Sequence, residues 1–79
     1  MTTKQLEKIF YREPFRPYRL LLTENEEVTV TKPRKGLVGG DQVAVVGLTR
    51  HRDGGIGKYG LRIVRIDRVL SVQDAEVDS

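Results

Sequence analysis

The chain has 79 residues, no cysteine and a formal net charge of +3. A single domain of that size buries only about 60% of the surface its unfolded chain exposes. An empty apolar pocket of about 300 Å³ would cost it roughly 7 kcal/mol, comparable with a whole expected stability of about 5–15 kcal/mol, so a deep internal ligand site is not expected; disulfides and thiolate metal centres are excluded.

The first segment, Thr2 to Glu13, reads as a short amphipathic helix over about residues 3–12. Thr2 and Gln5 fit a capping box, and Leu6, Ile9 and Phe10 recur at helical spacing. Pro14 disfavours helical geometry in the residue before it, so the helix stops there. Pro14-Phe-Arg-Pro-Tyr18 is extended and enters a sheet at an edge, because its prolines cannot donate to a central ladder. Strands are expected at about 18–23 and 26–31, joined through Glu24-Asn25, since asparagine tolerates the positive φ of a tight hairpin. Lys32 to Asp41, with a proline, three glycines and three cations, reads as a loop. Residues 42–48, QVAVVGL, form the most apolar run and the expected central strand. A second glycine-rich basic loop, Thr49–Lys58, leads to strands at about 59–66 and 69–72 around an Asp67-Arg68 turn. Residues 73–79 are expected to form an acidic, frayed tail.

One helix and five short strands are too few for a sandwich of two full sheets. Strands that close on themselves solve the edge problem at this size. The expected fold is therefore mainly β: an N-terminal helix over one end of a five-stranded, strongly bent antiparallel SH3-like barrel, with residues 1–72 as one domain. The structural rival is an open antiparallel sheet covered on one face by the helix.

Within 60–72, GLRIVRIDRVLSV, arginine recurs at every third position: Arg62, Arg65 and Arg68. Alternation in Leu61-Arg62-Ile63 sends the aliphatic residues inward and Arg62 outward, and a one-residue slip at a bulge keeps Arg65 outward as well. Arg68 falls in the turn. On that reading the cations line the outside of a bent hairpin.

Two resemblances attach to these residues. The order of elements, and Val64-Arg65-Ile66-Asp67-Arg68-Val69 over the last hairpin, resembles the Sm-like family of Sm, LSm and Hfq barrels. Arg65 takes the place of the family's arginine and Asp67 that of its turn residue, while Ile66 stands at the family's glycine and Arg68 at the asparagine often found before the valine. The resemblance implies an RNA-binding barrel that assembles into rings by pairing the fourth and fifth strands of neighbours. Pro14-Phe15-Arg16-Pro17-Tyr18, followed by Leu20, Leu22 and Thr23, is similar to a phrase in short bacterial proteins that open with a helix. That likeness implies fold alone.

Charge is unevenly distributed. Residues 1–31 balance at five basic and five acidic, residues 32–68 hold nine basic residues against Asp41, Asp53 and Asp67, and the end carries Asp74, Glu76 and Asp78. A concentrated positive surface suits phosphate backbones or acidic partners. The expected contacts are Lys32, Arg34, Lys35, Arg50, Arg52, Lys58, Arg62, Arg65 and Arg68, with Tyr59 placed to stack on a nucleobase or, alternatively, to pack at a strand start. The bland alternative is a solvated face whose charge the acidic tail neutralises.

Catalytic motifs fail on inspection. Gly54-Gly-Ile-Gly-Lys58 lacks the P-loop's first glycine, where Arg52 stands, and its Ser or Thr, where Tyr59 stands, and a strand follows instead of a helix. His51, the only histidine, reads as a loop residue with no companion ligands, and Asp41 and Asp53 lack EF-hand spacing. Ser71 and Ser79 have no general base, and Glu24, Glu26 and Glu27 read as solubilising charges on a hairpin. Phe10 and Phe15 read as core. No run approaches the roughly 20 apolar residues of a membrane span, and Met1-Thr-Thr-Lys-Gln5 has no signal-peptide apolar region, so a cytoplasmic location is expected. The sequence thus points to a non-enzymatic barrel without cofactor or metal. Its expected role is to bind RNA or single-stranded nucleic acid, and the alternative is a protein-interaction or assembly module, in a homo-oligomer or with a protein partner.

Overall fold

The computed structural model describes residues 1–75. Helix α1 spans Thr3–Phe10, and strands follow at Tyr18–Leu22 (β1), Glu26–Val30 (β2), Gly36–Gly39 (β3), Gln42–His51 (β4), Lys58–Arg65 (β5) and Val69–Asp74 (β6). All strand pairings are antiparallel: β1 lies between β2 and β6, and β2 leads to β4, which also pairs with β3 and β5. The sheet curls into a half-barrel, as expected for a small bent β fold.

The Thr2 hydroxyl accepts from the Gln5 N–H at 3.2 Å, and the Thr2 N–H donates to the Gln5 side-chain oxygen at 2.9 Å, which closes the capping box. The helix ends earlier than expected, at Phe10, with Tyr11 as its C-cap donating to the Glu7 carbonyl. Leu6 and Phe10 are its buried residues, and Phe10 stacks on Tyr18 with centroids 4.9 Å apart and planes 13° from parallel. Phe15 meets the other side of Tyr18 edge-on at 6.2 Å. The helix therefore packs on the core through Leu6 and Phe10, with Ile9 beside them, and the Phe10–Tyr18 stack ties it to β1.

Three expectations are corrected here. The segment read as a loop from Lys32 to Asp41 contains β3, making six strands. Gly36 is used for close approach: a Cβ there would strike the Tyr18 hydroxyl and lie 2.9 Å from Phe10. Val38 packs against the core, and its N–H donates to the Tyr11 hydroxyl at 3.0 Å. Next, β4 runs on through Thr49 and Arg50 to His51, so His51 is a strand residue and the following loop is shorter than expected. Finally, β6 continues to Asp74, and buried Ala75 donates to the Pro17 carbonyl at 3.0 Å, so residues 73–75 are not tail. The acidic-tail expectation for 76–79 lies outside the described residues.

The β1–β2 connection is a tight turn with positive φ at Glu24 (63°) and Asn25 (64°), the geometry of a hairpin whose twist matches its strands. Asn25 was expected to supply it; Glu24 adopts it without glycine's freedom.

The ten residues of β4 change partners midway. Gln42–Val45 pair with β3 and Leu48–His51 with β2, while the opposite edge pairs with β5 from Gln42 to Thr49. Gly47 sits at the changeover. A Cβ there would collide with the Thr29 carbonyl oxygen of β2 and meet the Thr29 carbonyl carbon at 3.0 Å. Replacing Gly47 by alanine is expected to cost about 1–3 kcal/mol by overpacking against backbone, a drop in Tm of several degrees at about 4–8 °C per kcal/mol. Gly39→Ala, where a Cβ meets open space, is the control, and thermal unfolding followed by circular dichroism measures both.

Tyr18 supplies a second prediction. Burial pushes its phenol well above the ordinary value of 10.0, with Arg12 opposing the rise. The unfolded chain therefore loses this proton at lower pH than the native one, so the Tyr18 contribution is complete below pH 10 and declines as pH rises beyond it. Urea titrations from pH 9 to 11.5 should show a steeper loss of stability for the wild type than for Tyr18→Phe.

Candidate functional site

Strand alternation, pinned by the β4 register, decides which way each functional side chain points. Val43 and Val45 are buried, and their partners across the ladder are Val64 and Arg62; Thr49 faces Lys58. Lys58, Gly60, Arg62 and Val64 therefore share the inner face, and Tyr59, Leu61, Ile63 and Arg65 share the outer one. This reverses the expected phase: Leu61 and Ile63 face solvent and Arg62 points inward. Pairing runs without interruption from Lys58 to Arg65, so β5 has no bulge; the register shift lies between Leu21 and Leu22 in β1.

The inward Arg62 is satisfied locally. Its guanidinium donates to the Glu26 carboxylate at 2.7 Å, and both side chains are only partly exposed. Glu26, read from sequence as a solubilising charge, is the counter-ion that makes this inward arginine tolerable.

Two clefts flank the pair. One, of about 430 Å³, is lined by Glu26, Thr49, Arg50, His51, Ile56 and the first half of β5 from Lys58 to Arg62. The other, of about 170 Å³, lies among Leu22, Thr23, Glu26, Arg62–Arg65 and Arg68. Arg62, Arg65 and Arg68 thus meet at one cleft although they belong to different faces and a turn.

Their charges are partly occupied. Arg65 lies 3.6 Å from Asp67, and Arg50 lies 3.7 Å from Glu27, whose other oxygen is 3.7 Å from Arg19. Arg52 donates to the Leu22 carbonyl at 3.1 Å, and its N–H donates to the Asn25 carbonyl, so this residue ties the β4–β5 loop to the first hairpin. Lys58 and Arg68 have no carboxylate partner among the described residues. Of the remaining expected contacts, Lys32, Arg34 and Lys35 precede β3, and Arg34 lines a separate cleft of about 590 Å³ with Phe10, Arg12 and Phe15. The expected site therefore divides in two, with Arg50, Lys58, Tyr59, Arg62, Arg65 and Arg68 together and the 32–35 cations elsewhere. Asp74 binds Arg12 at 2.9 Å and Arg16 at 3.8 Å, on the helix side of the molecule, and neutralises none of the β5 cations.

Sequence reasoning missed an apolar surface. On the outer face, Leu37 of β3 is 66% exposed, Leu61 68%, Tyr59 61% and Ile63 59%. The register sets Leu37 opposite Ala44, Ala44 opposite Ile63, Val46 opposite Leu61 and Leu48 opposite Tyr59, which makes one continuous apolar field across three strands. Beyond Leu48 the same face turns polar, with Thr29, Glu27, Arg19 and Arg50. The legible signal is Leu61 and Ile63 at alternating positions, which the expected phase puts on the wrong side of the sheet.

Among the described residues there is no group of three His, Asp or Glu side chains able to hold a metal ion, and no helix is long and apolar enough to cross a membrane. The chain matches no family model, no curated protein and no solved structure.

The Glu26–Arg62 pair is testable on stability. A double-mutant cycle of Glu26→Gln and Arg62→Met by urea unfolding should return a coupling of about 0.5–2 kcal/mol, between the values of exposed and buried pairs. Zero coupling would show the contact to be incidental.

Proposed function

We propose that the protein is a non-enzymatic interaction module that binds another protein through the outer face of β3, β4 and β5. The observation that carries this reading is the continuous exposed field of Leu37, Leu48, Tyr59, Leu61 and Ile63. Large contiguous apolar patches on soluble domains mark interaction surfaces. Burying about half of each such side chain contributes roughly 1 kcal/mol apiece, a useful fraction of the free energy of a micromolar complex.

A second reading, nucleic-acid binding through the same neighbourhood, is supported by a different observation. Tyr59 is well exposed and shares the larger cleft with Arg50, His51 and Lys58, a stacking surface beside cations. The ion pairs of Arg50, Arg62 and Arg65 weaken it, because a phosphate must displace carboxylates already in place. An Sm-like ring, in which one copy's β5 pairs with another's β6, draws support from the absence of a second partner for either strand among the described residues.

Site-specific photocrosslinking separates these readings. A photoreactive residue in place of Leu61 is expected to crosslink a discrete protein in extract, whereas the same residue in place of Gln73, on β6, is not. Loss of that product in an Ile63→Ser background would tie it to the apolar field. Anisotropy of a labelled mixed-sequence oligonucleotide at about 50 mM and 200 mM salt checks the second reading: tight binding that falls steeply with salt, with only nucleic acid crosslinked at position 61, would replace the first.

A further inference from the structure

The partner's chemistry is written on β5. This strand is eight residues long, contains no proline, and pairs with β4 alone, so its other edge presents unpaired N–H and C=O groups. Its two faces differ. The outer row is Tyr59, Leu61 and Ile63, all more than half exposed. The inner row carries Lys58 and Arg62, the latter paired with Glu26, while the two clefts along the strand are lined from both rows, with Arg50 and Arg65 from the outer face and Arg68 from the turn.

We infer that β5 accepts an extended polypeptide segment as an additional antiparallel or parallel strand, and that this segment alternates apolar with acidic residues. The inference rests on the protein-binding reading above and narrows it to a mode and a partner class. Backbone hydrogen bonds to the free edge supply affinity without regard to sequence. Alternation then sets specificity: every second side chain of the added strand lies beside Tyr59, Leu61 and Ile63, and the others lie beside Lys58 and Arg62. Charge complementarity selects carboxylates for the inner positions, beside Lys58, which has no carboxylate partner among the described residues, and Arg62, whose one partner is Glu26.

A second copy of β5 is a poor occupant by the same reasoning. Pairing β5 edge to edge with itself sets Lys58 and Arg62 of one chain on the same face as Lys58 and Arg62 of the other, and like charges across a ladder are destabilising. Nucleic acid satisfies the cations but leaves the free backbone edge and the aliphatic row unused.

The experiment uses the intact protein and synthetic nine-residue peptides. One alternates valine and glutamate; the second has the same composition in blocks; the third alternates valine and lysine; the fourth and fifth are the first with N-methyl groups on the amides of one edge and of the other. Isothermal titration at about 100 mM salt should show the first binding at least 10-fold more tightly than the second and third, and one of the two N-methylated edge variants losing at least 10-fold. Hydrogen exchange of the complex should show added protection concentrated in residues 58–65. Equal binding of the block peptide, indifference to N-methylation at both edges, or no binding by the alternating peptide overturns the inference. Protection of 58–65 by an oligonucleotide or by self-association at raised concentration, without peptide binding, overturns it as well. If a protein still crosslinks at position 61 while the alternating peptide fails, the docking face stands and only the strand-addition chemistry falls.

Discussion

The structure turns on one close approach, where the Thr29 carbonyl of β2 comes up against the bare Cα of Gly47. Every other residue would hold the two backbones apart at that point. Because they touch, β4 can leave β3 and take up β2 across the two residues, Val46 and Gly47, between Val45 and Leu48. The sheet bends there, and a strand long enough for ten residues serves three neighbours. Gly36 does the corresponding service at the closed end, where β3 passes over the Phe10–Tyr18 stack with no room for a side chain.

From that bend follows the partition of the surface. Val43, Val45 and Gly47 define the inside of β4, and β5 is paired to β4 without a slip, so its even-numbered residues face in and its odd-numbered residues face out. Val64 closes the core, whereas Arg62, nearer the open side of the half-barrel, finds Glu26 instead of a hydrophobic neighbour. An inward arginine with one carboxylate and a solvated cleft on either side is inexpensive, because its charge is never fully removed from water. The cost is transferred to the other face: Leu61 and Ile63, excluded from the core by the same register, stand in solvent.

Seen as one object, β5 carries an apolar row, a cationic row and an open edge, and the three are mutually positioned by a ladder rather than by flexible loops. A rigid strand holds such a constellation more accurately than the glycine-rich segment from Gly54 to Gly57 could. The basic residues that first drew attention are partly structural: Arg52 fastens a loop, Arg12 fastens the chain between helix and β6, and Arg50 shares Glu27 with Arg19. What distinguishes the β5 region is the combination of cations with uncovered aliphatic surface, the combination on which the proposed protein contact rests.

By itself the sequence determined the class of the fold and the local elements whose causes are local. The Thr2–Gln5 box set the start of α1, the valine-rich run at 42–48 marked the central strand, and Asn25 marked the first turn. It also identified the arginines and Tyr59 as the residues of interest, since composition and position are visible in one dimension. It could not decide the phase of Leu61-Arg62-Ile63-Val64, because both phases place aliphatic residues on one face and a period of two is satisfied either way. Nor could it show β3, whose glycines read as loop formers until Phe10 and Tyr18 are seen beneath Gly36. Only the tertiary register, imposed on β5 from Val43 and Val45 across the ladder, settled which side of the strand is core, and with it where the charges and the exposed apolar surface lie.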